Sequence, residues 1–203
     1  MTSRTSITHP LQIADITAPG AQGAVGITFC PGKKQANAMS GAWDRDLGLD
    51  LDVIKAWGAS TIITLVEPHE MRELQVTELG QQAAIRGIAW LHMPITDVSV
   101  PDDRFEQAWG VHGASLIEGI RAGKRVLVHC KGGLGRAGTV AGLMLVELGV
   151  APAEAIRLVR GVRKGAIETS AQQLYVQTRA MPPRLVNILE GGADGGSIRL
   201  VRG

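Results

Sequence analysis

Hydrophobic and polar positions follow two different periods along the chain. Short apolar runs rich in β-branched residues indicate buried strands, and longer stretches with apolar residues every three to four positions indicate helices. The predicted strands are residues 11–16, 25–30, 61–66, 88–93 and 126–129. The predicted helices are residues 50–57, 104–122, 137–148, 153–162, 169–179 and 183–189.

The order of these elements predicts an α/β fold with a central, mostly parallel sheet flanked by helices. After His129 no strand is expected until residues 198–201, so the C-terminal half should form a helical block on one face of the sheet. The helix at 137–148 is apolar almost all round and is expected to be buried. Phe105 and Trp109 are predicted core residues of the helix at 104–122, which Asp102 and Asp103 should cap.

Length and composition are those of a one-domain protein. The chain has 203 residues, of which 45% are hydrophobic, so a sizeable core can be buried. We expect residues 1–190 to form a single domain that includes the strand region 11–30. The glycine-rich residues 191–203 are expected to form a flexible tail.

Charge and cysteine content narrow the class of protein. The balance of 21 basic and 19 acidic residues excludes a polyanion-coating protein, and 3% aromatic residues argues against a stacking surface for single-stranded nucleic acid. Cys30 and Cys130 are too few for a disulfide framework. The chain has neither a start typical of a signal peptide nor an apolar run of about 18 residues. We therefore expect a cytoplasmic protein without membrane insertion and without a nucleic-acid partner.

One stretch carries the residues suited to chemistry, Val-His-Cys-Lys-Gly-Gly-Leu-Gly-Arg-Ala-Gly-Thr at positions 128–139. It joins a buried strand to an apolar helix through a glycine-rich loop. Loop amides and a helix N-terminus attract anions, and glycines allow the backbone to approach a ligand closely. Arg136 can face the same oxyanion as the Cys130 sulfur, because a planar guanidinium matches two phosphate oxygens.

The same surroundings are expected to activate Cys130. A thiol at a helix N-terminus beside a cation has its pKa lowered from about 8.5 to roughly 3.5–7.5, which makes it a thiolate nucleophile at neutral pH. We therefore predict phosphoryl transfer through a phosphocysteine. Asp97 lies between Pro94 and Pro101 in a polar loop, and it is the candidate acid for the leaving oxygen.

Three other interpretations of the loop compete with this one. Residues 133–138 spell the G-x-G-x-x-G of dinucleotide sites, but Glu154, where an acidic residue should end a second strand, falls in a predicted helix. A nucleoside-triphosphate loop would need a lysine where Thr139 stands. A structural cysteine is the usual role of a lone Cys, but it leaves Arg136 and the glycines unexplained.

His129, Cys130 and Arg136 match the H-C-x5-R signature of cysteine-dependent phosphatases. The chain most resembles the kinase-associated dual-specificity phosphatases and their bacterial relatives, and the resemblance extends over residues 25–176. The other matching segments are Phe-Cys-Pro-Gly-Lys at 29–33, Pro-Ile-Thr-Asp at 94–97, and Gly-Ala-Ile-Glu-Thr at 165–169 followed by Gln172.

The resemblance implies a protein phosphatase that hydrolyses phosphomonoesters of tyrosine, and also of serine or threonine, in a shallow site. Cys130 would attack phosphorus, and Asp97 would protonate the leaving oxygen and then assist water. His129 would support the loop, and Gln172 would place the water. The implied phosphate-binding residues are Lys131, Gly132, Gly133, Leu134, Gly135 and Arg136. The resemblance implies no metal and no cofactor.

The sequence departs from the family pattern at two positions. Ala137 stands where a Ser or Thr usually stabilises the departing thiolate, so a phosphate-binding pseudophosphatase with weak turnover stays an alternative, although Thr139 lies one turn away. Lys131 is either a solvated surface charge or a cation that favours another acidic, phosphorylated ligand beside a phosphoprotein substrate. Cys30 is expected to be a small buried residue, with a protective disulfide to Cys130 as the alternative.

Overall fold

The computed structural model describes residues 3–38 and 41–179. The helix predicted at 183–189, the strand at 198–201 and the tail at 191–203 lie outside these residues. The strands are β1 (Ala14–Ile16), β2 (Ala24–Phe29), β3 (Lys34–Gln35), β4 (Trp43–Asp44), β5 (Ala59–Thr64), β6 (Ala89–His92) and β7 (Arg125–Cys130). The helices are α1 (Leu47–Ala56), α2 (Pro68–Glu73), α3 (Leu79–Ile85), α4 (Asp103–Arg121), α5 (Gly135–Glu147), α6 (Pro152–Val162) and α7 (Ser170–Thr178).

Five strands form one sheet in the order β1-β2-β7-β5-β6. Strands β2, β7, β5 and β6 run parallel, whereas β1 pairs antiparallel with β2 at the edge. The predicted mostly parallel sheet is therefore confirmed. β7 lies at its centre and is buried from Val126 to Cys130, as a parallel strand is when helices cover both faces.

Helices pack on both faces of the sheet and build two cores. Val126 and Val128 of β7 belong to a core shared with α4, α5, α6 and α7. Leu127 points the other way, into a core shared with α1, α2 and α3. The predicted helical block after β7 is thus confirmed, and so are the buried positions of Phe105 and Trp109. No helix in the described part of the chain is long and apolar enough to cross a bilayer.

The short elements and two boundaries differ from the prediction. Helices α2 and α3 span six and seven residues, too few for a clear helical period, and β3 pairs with β4 over two residues. Helix α1 begins at Leu47 because Asp46 is its N-cap. Asp50, predicted to open this helix, is buried inside it and pairs with Arg45 at 2.7 Å. Strand β1 covers three residues, because its pairing with β2 ends there.

The carboxyl ends of β2, β7 and β5 meet at one edge of the sheet. Phe29 at the end of β2 is level with Cys130, and Thr64 at the end of β5 is level with His129. Ligands of open α/β sheets bind outside this edge. The fold therefore brings the signature loop to the position where such sheets carry their sites.

Candidate active site

The loop between β7 and α5 forms a cradle at this edge. Cys130 is the last residue of β7, and α5 begins at Gly135. Gly133 has φ +70°, and a Cβ there would lie 2.5 Å from the backbone carbonyl of Thr28. Only glycine combines this backbone conformation with such a close approach to β2. The tight packing against β2 holds the loop in its curled shape.

Cys130 is buried at the bottom of the cradle. Its Sγ accepts a hydrogen bond from the backbone N–H of Gly133 at 3.2 Å. The sulfur also interacts electrostatically with Lys33, Arg136 and Arg163. An N–H donor and three surrounding cations place positive electrostatic potential at the sulfur, which is the environment of nucleophilic cysteines.

Arg136 projects from the first turn of α5 and is fixed by a carboxylate. Its Nη1 and Nη2 donate to the two oxygens of Glu70 at 2.5 and 2.9 Å, and Nη1 also donates to the carbonyl oxygen of Ile95 at 3.0 Å. Burial alone would lower the pKa of Arg136, but the hydrogen bonds of Glu70 and the charges of Cys130 and Asp97 raise it above its ordinary value. Its buried Nε has no hydrogen-bond partner within residues 3–38 and 41–179. A phosphate oxygen would satisfy this donor.

Glu70 is a site residue that the sequence analysis missed. It lies on α2, a helix too short to be predicted, and its carboxylate also accepts from the backbone N–H of Glu67 at 2.9 Å. Burial would raise the pKa of Glu70, but the hydrogen bonds and charge of Arg136 bring it below its ordinary value. The sequence holds one signal for this helix, a capping-box pattern at residues 67–70. In that pattern a Glu at the third helical position bonds back to the backbone of the N-cap residue.

Asp97 lies at the mouth of the cradle. One of its oxygens is 2.9 Å from Nη2 of Arg136, and its side chain is 59% exposed. The next residue, Val98, has φ +62°, a left-handed conformation that a β-branched residue rarely adopts. The cavity between them and the loop has a volume of about 210 Å³ and is lined by Asp97, Val98, Cys130, Lys131, Gly132, Leu134, Arg136 and Glu168.

His129 is buried behind the loop as a neutral side chain. Burial lowers the pKa of His129 from 6.5 to about 3. Its Nε2 is 2.8 Å from the hydroxyl of Thr64, which also accepts from the indole N–H of Trp90 at 2.8 Å. Because the buried hydroxyl proton needs an acceptor, Thr64 donates to Nε2, and the imidazole proton is then on Nδ1. That nitrogen lies 3.5 Å from the carbonyl oxygen of Cys130.

Arg163, which the sequence analysis did not select, supports the loop from outside. Its guanidinium donates to the carbonyl oxygens of Gly133 and Gly132 at 3.0 and 3.1 Å. In a trans peptide the carbonyl oxygen and the following N–H point in opposite directions. Holding these two carbonyls outside the cradle therefore turns the N–H groups of Gly133 and Leu134 toward its interior.

Gln172 lies beside the cavity at the start of α7 and is buried. Its side-chain oxygen accepts from the backbone N–H groups of Glu168 and Thr169, and its amide nitrogen donates to the carbonyl of Ser99 at 3.1 Å. These contacts join α7 to the loop that carries Asp97. Glu168, not Gln172, is among the residues that line the cavity. The role of Gln172 in placing water stays a prediction.

The structure shows the contacts around Ala137 and Lys131, the two positions that depart from the family pattern. Ala137 is buried, and the hydroxyl of Thr139 donates to the carbonyl of Gly135 at 2.8 Å, within its own helix. Lys131 is 31% exposed, and its Nζ is 4.0 Å from Glu73, so the cation faces the cavity with a loosely held partner. Cys30, the second cysteine, is buried as predicted, and burial raises the pKa of its thiol far above the ordinary value. Both cysteines are free thiols.

The dinucleotide alternative does not fit the fold. Glu154 lies on α6, where it pairs with Arg157 on the exposed side, and no strand follows β7 in the described part of the chain. The second strand that would present an acidic residue to a ribose is therefore missing from this region.

Comparisons with known proteins agree with the site. A family model described as "Swiss Army Knife protein, DSP-PTPase phosphatase domain" (PTP-SAK) matches residues 46–176. The rat (Rattus norvegicus) cyclin-dependent kinase inhibitor 3 is 30% identical over 135 residues, which are 65% of this chain and 62% of that protein. The human (Homo sapiens) protein tyrosine phosphatase type IVA 3 is 30% identical over 136 residues, 66% of this chain and 72% of that protein. The chain thus spans less than two thirds of the first of these relatives.

Solved structures give the same family. A crystal structure of the kinase associated phosphatase, with its catalytic cysteine replaced by serine, has a TM-score of 0.72 at 24% identity and covers 90% of this chain and 97% of its own. The active form of Tk-PTP has a TM-score of 0.59 at 30% identity and covers 80% and 97%. The family model, the relatives and the fold agree, and the chain belongs to the dual-specificity branch of the protein tyrosine phosphatases.

Proposed function

We propose that this protein hydrolyses phosphomonoesters through a phosphocysteine formed on Cys130. The observation that carries the proposal is the convergence of three groups on one small cavity: the buried sulfur, the inward N–H groups of the loop, and the Arg136 guanidinium with a buried Nε donor. Donors fixed in advance around a nucleophile stabilise the charge that develops on phosphoryl oxygens without further rearrangement.

The first step transfers the phosphoryl group to sulfur. The Cys130 thiolate attacks phosphorus, the bond from phosphorus to the ester oxygen breaks, and Asp97 gives its proton to the departing oxygen. Arg136 and the loop amides hold the three remaining phosphoryl oxygens. Because Asp97 now rests against Nη2 of Arg136, the incoming phosphate takes over that edge of the guanidinium and leaves the carboxyl group at the mouth.

The second step releases inorganic phosphate. Asp97, now a carboxylate, takes a proton from water as the water oxygen attacks phosphorus, and the phosphorus–sulfur bond breaks to restore the thiolate. We assign Gln172 to the placement of this water, as the family resemblance implies. Glu168 lines the same cavity and offers a second carboxylate within it.

A phosphorylated protein is the proposed substrate. The names of two relatives, a protein tyrosine phosphatase and a kinase inhibitor, support a protein substrate. The phosphate cavity also adjoins a second cavity of about 530 Å³, which both polar and apolar residues line. Lys131 lines both, so residues that flank the phosphorylated side chain would lie in the second cavity. A cytoplasmic location stays a prediction from the sequence.

Trapping the intermediate tests this proposal. An acid quench during turnover of an aryl phosphate by the Asp97→Asn variant should leave one phosphoryl group on the intact chain, and peptide mapping should find it on Cys130. The general acid–base help lost with Asp97 slows the release step, which lets the intermediate accumulate. Turnover with a phosphoryl group mapped to another side chain would contradict the cysteine mechanism.

Ala137 and Thr139 favour one second candidate, a phosphate-binding protein that turns over poorly. The Ser or Thr hydroxyl that usually follows the arginine in this family is absent, because Ala137 stands there. The Thr139 hydroxyl donates to the carbonyl oxygen of Gly135 within α5. Pre-steady-state kinetics separate the two functions. A burst of one equivalent of product followed by a stall would identify the pseudophosphatase, whereas the proposed enzyme shows continued turnover, which Ala137→Ser accelerates.

A further inference from the structure

Lys33 is a buried cation for which the proposed mechanism gives no role. It belongs to the segment at residues 29–33, which the family resemblance singled out, and it is 4% exposed. Lysine is almost never buried without a partner. Its Nζ lies 4.3 Å from the centre of the Trp43 ring and 5.0 Å from that of Phe29, and it donates to the carbonyl oxygen of Lys131 at 3.3 Å.

The bond to the Lys131 carbonyl completes a pattern around the cradle. Arg163 holds the next two carbonyls, those of Gly132 and Gly133. Three consecutive carbonyl oxygens of the loop therefore accept from cations outside the cradle. Since a trans peptide directs its N–H opposite to its carbonyl, fixing the Lys131 oxygen turns the N–H of Gly132 inward, beside the N–H that already reaches the Cys130 sulfur.

We propose that Lys33 is a positioning residue for the phosphate cradle, which holds the Lys131 carbonyl outward and adds a positive charge behind Cys130 without touching the substrate. The aromatic rings of Phe29 and Trp43 fix the ammonium group in place through cation–π contacts. A test that measures turnover rests on the proposed phosphatase function. The proposed effect of Lys33 on the charge and geometry around the Cys130 sulfur can also be tested without turnover.

The charge of Lys33 should change within an accessible pH range. Burial lowers the pKa of Lys33 from 10.5 to about 8. Electrostatic interactions with Cys30 and Cys130 oppose this shift, and the neighbouring cations Arg45 and Arg163 reinforce it. Lys33 is thus charged at neutral pH and loses its charge as the pH rises through about 8. The cradle should lose phosphate affinity over the same range.

A pH profile of three variants tests the role in turnover. We would measure kcat/KM for an aryl phosphate from about pH 6 to about pH 10, in an Asp97→Asn background that removes the proposed acid. With Lys33 intact, kcat/KM should fall as the pH rises through about 8. Lys33→Met should lower it roughly 10- to 100-fold with no fall near that pH, because misplaced donors cost about this much. Lys33→Arg should have the kcat/KM of the parent at neutral pH and show no decrease near pH 8.

The matched control is Lys34→Met, which removes the exposed neighbouring cation that pairs with Asp44 at 2.7 Å. It should match the parent at every pH. An unchanged rate and pH profile in Lys33→Met would overturn the proposal. If Lys33→Met fails to fold by thermal unfolding, Lys33→Arg decides alone, and a fall that persists near pH 8 in that variant overturns the proposal.

Alkylation of Cys130 separates this inference from the proposed function. We would compare the rates of reaction with iodoacetate, an anion, and iodoacetamide, which is neutral. The ratio of the two rates reports positive charge around the sulfur and needs no turnover. The ratio should fall in Lys33→Met and stay constant in Lys34→Met. A protein with no phosphatase activity but a lowered ratio would keep the role of Lys33, whereas an unchanged ratio would remove it.

Discussion

Asp97 combines two features that suit an acid at the mouth of a site. Its carboxyl group touches Arg136 at 2.9 Å yet is 59% exposed, so it can reach both the phosphate and the leaving group. The left-handed backbone of Val98 turns the chain directly after it, and the N–H of Val98 donates to the Asp97 side chain at 3.1 Å. Local strain of this kind holds a functional side chain in one orientation.

Replacement of Asp97 by Asn should lower kcat by roughly 10²–10⁴-fold, the usual contribution of general acid–base help. The decrease in kcat caused by Asp97→Asn should be smaller for aryl phosphates with better leaving groups, because their departing oxygen needs less protonation. An Asp97→Asn variant with the native rate on a poor leaving group would assign the proton to another residue.

Lys131 should select for negative charge next to the phosphorylated residue. It lines both cavities, and its 4.0 Å contact with Glu73 leaves its ammonium group available to a ligand. Lys131→Met should raise KM for a doubly phosphorylated peptide by up to about 5-fold relative to a singly phosphorylated one, since a partly exposed ion pair is worth up to about 1 kcal/mol. Lys55→Met, at the exposed C-terminal end of α1, is the control. Equal effects on both peptides would make Lys131 a solvated surface charge.

At the scale of elements, α2 fixes the key side chain of α5. Glu70 on α2 and Arg136 on α5 form a buried, two-bond ion pair, and Glu67 and Ile95 are among the further hydrogen-bond partners of the two side chains. Buried charges of this type need all their partners, because each is costly when left alone. The short helix therefore sets the direction in which the guanidinium meets a phosphate.

Glu70→Ala should destabilise the protein by up to about 3–5 kcal/mol, because it leaves the buried Arg136 guanidinium with only the more exposed Asp97 as a carboxylate partner. Glu70→Gln retains one acceptor and should cost less. Urea unfolding measures the loss, and vanadate affinity measured on the folded fraction reports the misplaced Arg136. A Glu70→Ala variant with native stability and native vanadate affinity would show that the loop alone positions the arginine.

Much of this arrangement could be predicted from the sequence, for physical reasons. The apolar runs of β7 and α5 and the glycines between them are local signals. They were sufficient to predict the loop and the site residues Cys130 and Arg136. Glu70, Lys33 and Arg163 make their contacts from chain positions far from the loop, so no local pattern reveals that these contacts form. Short elements such as α2 and β3 owe their form to tertiary contacts more than to their own periodicity.

At the scale of the whole molecule, the buried His129 couples stability to pH. It packs at the centre of the sheet with a pKa of about 3, against an ordinary 6.5 when the chain is unfolded. Between these values the unfolded chain binds a proton that the native chain does not, so stability falls as the pH falls from about 6.5 to about 3. The contribution has a slope of up to about 1.4 kcal/mol per pH unit.

His129→Asn should flatten this dependence. We would measure the free energy of unfolding in urea at several pH values for the native chain and the variant, and compare the slopes below about pH 6.5. The variant should be less stable at neutral pH, because the bonds to Thr64 and to the Cys130 carbonyl are altered. Its slope should be shallower than that of the native chain. Parallel slopes would mean that His129 is protonated in the folded state.

The most direct measurement is hydrolysis of an aryl phosphate in EDTA and a reductant, comparing the native chain with Cys130→Ser. Cys130 is buried beneath the cradle as the proposed nucleophile, and its replacement leaves the loop and Arg136 in place. We predict steady turnover by the native protein and none detectable in the folded variant. Turnover by Cys130→Ser at a rate close to that of the native chain would contradict the cysteine mechanism.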